Sequence, residues 1–186
     1  MTPRHLPDSS REGSSATSGA VALGDLQKGS RVFVDAPILI YHFTGASAQC
    51  RDFLARCQRR ELEAATSAIV LAEVSHRLMM IEALSRGLVS AGNLPKKLRN
   101  KPEVVRDLRT SRRQVEQIPL MGIRVLGLEL HHVMAGAQIR AETGLLTNDS
   151  VVAATALFDE CEFIATSDTD FKRVPELTLA SPTDLP

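Results

Sequence analysis

The 186-residue sequence has no tryptophan and a single tyrosine. Recognition by stacking bases on aromatic rings is therefore expected to be minor. Three cysteines, Cys50, Cys57 and Cys161, are an odd number at spacings that suit neither a disulfide framework nor a zinc ligand set. They are expected to be small buried apolar residues in a reducing cytoplasm. No run approaches the roughly 18 apolar residues of a membrane span, and the N-terminus lacks the charged start and apolar stretch of a signal peptide. A cytoplasmic protein without a membrane is the expectation. Net charge is absent too: 22 Lys and Arg balance 22 Asp and Glu. Overall charge thus argues neither for nor against a nucleic-acid partner, and local distribution has to decide.

Residues 1–30 read as a flexible extension, rich in Ser, Gly and charge over the first 19. Within it a short apolar piece, Ala20 to Leu26, can pack on the domain. The organised domain is expected over 31–186. Val32-Phe33-Val34 reads as a buried strand, and Pro37 suits the first turn of a following helix. Ser47 is placed to cap a helix running to Arg60, with Cys50, Phe53, Leu54 and Cys57 on one face. Leu62 to Ala65 reads as a strand. Ser67 then caps a long helix, Ala68 to Arg86, with Val70, Val74, Leu78 and Ile81 as its apolar stripe. A connection leads to a helix from Pro102 to Gln117. Strands follow at Gly122 to Leu126, Cys161 to Thr166 and Leu177 to Ala180, with helices at Leu128 to Glu142 and Thr147 to Phe158 between them. This alternation predicts a three-layer α/β/α sandwich with a mostly parallel central sheet.

Ligands of such sheets bind beyond the carboxyl ends of the strands. Asp35 follows the first strand, and Asp168 and Asp170 follow Phe163 to Ser167. Glu73 lies in the long helix among apolar residues, and Asp149 in the first turn of another. Singly, each has an ordinary structural role. A strand-end Asp closes a turn, Asp149 complements a helix dipole, and Glu73 pairs with Arg77 one turn on. Only Asp35 stands out alone. Together they demand more, because two carboxylates at ~4 Å repel by about 4 kcal/mol at an effective dielectric of 20. A cluster of all-oxygen ligands calls for Mg2+ or Mn2+, which can activate water and stabilise a phosphodiester displacement.

The blocks VFVDAPILIYHF, TSAIVLAEVSHRLM, LLTNDSVVAATAL and FIATSDTDF resemble, in order and separation, the motifs of PIN-domain nucleases. The likeness covers roughly Arg31 to Pro186. It implies a parallel α/β/α fold, Mg2+ or Mn2+ dependence and endoribonuclease activity. It also implies the toxin role of VapC-type members, with an antitoxin partner, and a homodimer. By this resemblance Asp35, Glu73, Asp149 and Asp168 are catalytic. Asp35, Asp149, Asp168 and, ranked lower, Asp170 are metal ligands. Thr166, Ser167 and Asn148 lie near the site, with Asn148 supporting Asp149. One departure stands out: the family usually has Thr or Ser and then Asn after the first aspartate, where this chain has Ala36 and Pro37.

Between Arg86 and Arg113 eight further basic residues, counting Arg113 itself, face only two acids, Glu103 and Asp107. A basic surface fits an RNA backbone as well as it fits a solvated helix face. Lys96, Lys97 and Arg99 within it, together with Arg77 on the long helix, are the candidate substrate contacts. His131-His132 reads as a helix surface or interface, and Met79-Met80 as core or dimer contact. Two alternatives to a ribonuclease remain: a catalytically weak PIN-like module that binds RNA or protein, and an acidic-site phosphohydrolase. The second normally needs an acid two residues after its nucleophile, where Pro37 stands.

Overall fold

The computed structural model describes residues 20–185. Its strands are β1 (Val21–Ala22), β2 (Arg31–Val34), β3 (Glu63–Ser67), β4 (Arg124–Leu126), β5 (Phe163–Ala165) and β6 (Thr178–Ser181). All pair in parallel, in the order β1-β6-β5-β2-β3-β4. Parallel neighbours need crossover connections, and helices supply them. These are α1 (Ala36–Thr44), α2 (Ala48–Gln58), α3 (Ala68–Ser85), α4 (Leu94–Arg99), α5 (Pro102–Asp107), α6 (Thr110–Gln117), α7 (Leu130–Thr143) and α8 (Thr147–Phe158). The result is the expected three-layer α/β/α sandwich. The core is continuous from Phe33 and Ile164 in the sheet to Phe53, Val74 and Ala153 in the helices.

Local signals explain most boundaries. Pro37 stands in the first turn of α1, and Gly45 ends that helix at φ +72°. The Ser47 hydroxyl accepts from Cys50 N at 3.0 Å, which caps α2. It also donates to Asp184 at 2.6 Å, fastening the C-terminal segment to that cap. All three cysteines are free and buried. Among the described residues no helix is long and apolar enough to cross a membrane.

Four readings need correction. The boundary expected at residue 30 falls inside the folded unit. β1 pairs with β6, Leu23 and Leu26 join the core, and the Arg56 guanidinium donates to the carbonyls of Leu23, Gly24 and Leu26. The apolar run there is too short to show periodicity, and its partners are more than 25 residues away in sequence. Residues 1–19, the rest of the expected extension, lie outside the described residues. The helix expected over Pro102 to Gln117 is two, because Leu108 leaves helical geometry (ψ 89°) to bury itself in a small second cluster with Ala83, Val89 and Leu98. Ser67 precedes α3 but forms no capping bond; among the described residues its buried hydroxyl has no partner.

The fourth concerns the stripe of α3. Ile81 is exposed, and the i, i+4 row through Val70, Val74 and Leu78 continues instead to Glu82. This buried acid accepts from Ser111 N (2.8 Å), Ser111 Oγ (2.8 Å) and Thr110 N (3.2 Å), so it neutralises the free amides that open α6. Burial pushes its pKa up, but these hydrogen bonds outweigh burial and hold it at about 2. Glu82→Ala should therefore lower the unfolding free energy by about 1–3 kcal/mol in chemical denaturation. The Glu82 contribution should be complete above the ordinary carboxylate value and disappear as pH falls toward 2.

Candidate active site

β2 has β3 on one side and β5 on the other, and the chain leaves the two central strands in opposite senses. A crevice therefore opens at their carboxyl ends. Asp35, 6% exposed, enters it directly after β2. One of its oxygens accepts from Ala36 N at 2.8 Å and the other from the Thr166 hydroxyl at 2.7 Å. Its own amide donates to Ala165 O, locking the ends of β2 and β5 together. The Thr166 hydroxyl in turn accepts from Asp168 N at 3.0 Å, and Asp168 accepts from Asp170 N at 2.8 Å. The three acids after β2 and β5 thus share one hydrogen-bond chain.

The remaining acids arrive on helices. Asp149 sits half-buried in the first turn of α8, and Glu73 is exposed on the second turn of α3 rather than against a buried face. Their fields reach one another. Burial lifts the Asp35 carboxyl to about 6 despite the bonds from Thr166 and Ala36, and the charges of Glu73 and Asp149 push it the same way. Burial also raises Asp149, followed by repulsion from Asp168, Glu73 and Asp170. Among the described residues no basic side chain pairs with Asp35, Glu73, Asp149 or Asp168, and Glu73 forms no ion pair with Arg77. Asp170 does pair, with Arg173 at 3.0 Å.

Other candidates fare unequally. Thr166 is fully buried and central. Ser167 shares a 3.1 Å hydrogen bond with Tyr41, a residue overlooked in the sequence because α1 brings it back from six positions beyond Asp35. Arg173 was also overlooked, although its place three residues after Asp170 is a pairing signal. Asn148 is exposed and makes no hydrogen bond to Asp149. Lys97 is drawn into its own loop by bonds to Ser90 and Ala91. Arg77, Lys96 and Arg99 are exposed.

A divalent cation fits the chemistry of this donor set. The donors are hard oxygens, their charges repel, and among the described residues no basic partner offsets four of the five. Among the described residues, however, no three potential ligands are already gathered into a metal shell. Binding would require the exposed Glu73 and the half-buried acids to close on the ion.

The PIN domain family matches residues 32–177. The chain belongs to that family. Among curated relatives, "Ribonuclease VapC6" of Methanocaldococcus jannaschii is 23% identical over 145 residues, 78% of this chain and 93% of the relative. Solved structures share the fold. VapBC2 of Rickettsia felis, bound to a promoter DNA fragment, matches with a TM-score of 0.53 at 18% identity, covering 81% of this chain and 97% of the other. A toxin–antitoxin complex from Klebsiella pneumoniae matches with a TM-score of 0.51 at 19% identity, covering 79% and 95%. PAE2754 of Pyrobaculum aerophilum matches with a TM-score of 0.51 at 16% identity, covering 81% and 87%.

The Asp35 environment has a consequence for the metal-free PIN domain. Folding raises this carboxyl from 3.8 to about 6, so the folded chain holds an extra proton between those values. Stability therefore falls as pH rises through that window, and the full penalty, on the order of 3 kcal/mol, applies above it. In chelator at neutral pH, Asp35→Asn should raise Tm by several degrees. The gain should vanish on acidification to about pH 4, as followed by circular dichroism.

Proposed function

We propose that this chain is a metal-dependent endoribonuclease that hydrolyses RNA phosphodiester bonds at the crevice between β2 and β5. The carrying observation is the hydrogen-bond chain that gathers Asp35, Asp168 and Asp170 at one strand-end crevice through Thr166, with Asp149 and Glu73 near enough for their charges to act on Asp35. The name of the VapC6 relative supports ribonuclease activity. Asp35, Asp149 and Asp168, with Asp170 as a further ligand, would hold Mg2+ or Mn2+, which supplies an activated water and stabilises charge on the phosphoryl oxygens. The side chains have separate tasks. Thr166 fixes the Asp35 carboxylate, Arg173 anchors Asp170, and Glu73 is free to meet a water or the metal. The exposed Arg77, Lys96 and Arg99 would contact the RNA backbone, whereas Lys97 is committed to its loop.

The toxin–antitoxin structures among the fold's neighbours support a toxin role for this chain in the cytoplasm, held in check by an antitoxin protein. We propose a homodimer as its assembly. A second reading, a weakly catalytic module that binds RNA or protein, is favoured by one observation. Ala36 is 1% exposed and packs in the core, so the position after Asp35 brings no hydroxyl where the family usually has one.

Purified protein should cleave single-stranded and structured RNA with Mg2+ or Mn2+ and stop in EDTA. Asp35→Asn and Asp149→Asn should each reduce the rate at least about 100-fold. Equal cleavage by wild type and both variants would remove the proposal. Inactivity of the wild type with retained RNA binding in EDTA would select the second reading. Mn2+ should also raise the Tm of wild type and leave Asp149→Asn little changed, a binding readout independent of cleavage.

A further inference from the structure

Ten polar or charged residues are buried among the described residues, and the side chains of nine are hydrogen-bonded. The tenth is Ser67. It is 0% exposed, and its hydroxyl meets no partner among those residues. Its place at the head of α3 does not use the hydroxyl either, since it caps no amide of that helix. A buried hydroxyl is normally paired, because leaving it unpaired costs stability, so an idle one calls for a use. One other buried side-chain atom lacks a partner among the described residues, Nδ1 of His42. It lies in the last turn of α1, the end remote from the crevice.

Sheet register places the Ser67 hydroxyl beside Asp35. Phe33 pairs with Ala65, and Val34 with Ala165. Two steps on from the first pair and one from the second, Thr166, Asp35 and Ser67 form a row across β5, β2 and β3. Asp35 (φ −89°, ψ 164°) and Ser67 (φ −126°, ψ 163°) both keep extended backbone. The alternation of side chains therefore continues to this row, and the two residues face the same side of the sheet. Neighbouring strands lie about 4.8 Å apart, so side chains in one row are neighbours. On the β5 flank this contact is made: Thr166 donates to Asp35 at 2.7 Å. On the β3 flank it is not. Thr66, one place earlier, spends its hydroxyl on Val34 O at 2.8 Å. Asp35 thus stands between two hydroxyls, of which only one is engaged. Beyond Ser67 the chain enters α3, which carries Glu73 on its second turn, so the idle group lies between two of the acids.

We propose that Ser67 is a further positioning residue of the crevice: its hydroxyl takes a hydrogen bond from a water that the divalent cation brings to the β3 side of Asp35. This rests on the metal reading proposed above and deepens it. A serine hydroxyl both donates and accepts, and a hard divalent cation such as Mg2+ keeps several of its waters when bound. Ser67 acts on the ion through that water, and its contribution is to affinity for the hydrated cation.

The test uses the full chain with Mn2+ alone, without RNA. In chelator, Ser67→Ala should leave the Tm unchanged or raise it, because the change removes an unpaired buried group. In calorimetric titration the same variant should bind Mn2+ about tenfold more weakly than wild type. A lower Tm in chelator, or failure to fold, would show that the hydroxyl is already engaged in the metal-free chain and would overturn the proposal. An unchanged Mn2+ affinity in Ser67→Ala would overturn it as well. A wild type that binds no Mn2+ removes the metal reading and this inference with it. Binding by wild type and Ser67→Ala alike, with loss in Asp149→Asn, removes this inference alone.

Discussion

One hydroxyl holds the crevice together. Thr166 donates to Asp35 and accepts from the amide of Asp168, so it binds the carboxyl ends of two neighbouring strands through a single atom. Its own position is set by β6: its amide donates to Ala180 O, and its carbonyl accepts from Ser181 Oγ at 2.7 Å. The sheet order β6-β5-β2 is therefore not a neutral scaffold detail. It fixes where the buried carboxylate of Asp35 can point, and a buried charged group costs stability unless something offsets it. Mutual repulsion among the acids adds to that cost. On the proposed function, a bound cation would offset both costs.

Helix packing brings the last acids to the same edge. Asp149 depends on the α7–α8 hairpin, in which Gly136 lies directly against Val151. A Cβ at Gly136 would stand 2.8 Å from the Val151 methyl and 3.0 Å from its Cα. The missing side chain lets α7 approach α8 closely, and this keeps the first turn of α8 at the crevice. Glu73 reaches the crevice from α3, whose far end is tied down by the Glu82 carboxylate at the start of α6. A buried acid that caps a helix and exposed or half-buried acids that repel one another are opposite uses of the same group. Hydrogen-bond donors around the first, and their scarcity around the others, make the difference.

Much of this was legible in the residues. Strand-end logic places Asp35 and Asp168 without any tertiary information, because in a parallel sheet a residue directly after an apolar strand run lies at the edge where ligands bind, whether or not it also closes a turn. Glu73 and Asp149 could be grouped with them only through the family motifs, since nothing local says that two helices converge on one strand pair. What escaped reading was non-local. β1 is two residues long and stable only on β6. The break at Leu108 reflects a satellite cluster, and Glu82 hides in an apolar stripe whose i, i+4 drift replaces Ile81 with an acid. Asn148, chosen for its neighbour in sequence, points away from any bond to Asp149, as adjacent positions on a helix diverge by about 100°.

The Ala36-Pro37 departure also has a second side. An aspartate that caps a helix ordinarily accepts from the amide of the second or third helical residue. Here the second is Pro37, which has no N–H, and the Asp35 carboxylate receives Ala36 N instead. A proline at this place removes a donor that would otherwise compete with a cation for the carboxylate's lone pairs. It also removes a stabiliser of the charged form, consistent with a pKa near 6 rather than below the ordinary range. On the proposed function, a methyl at position 36 would bear on substrate positioning, while the missing N–H at position 37 would leave Asp35 more available to metal. The two effects would act on different steps, so in the proposed ribonuclease metal affinity and cleavage rate need not change together.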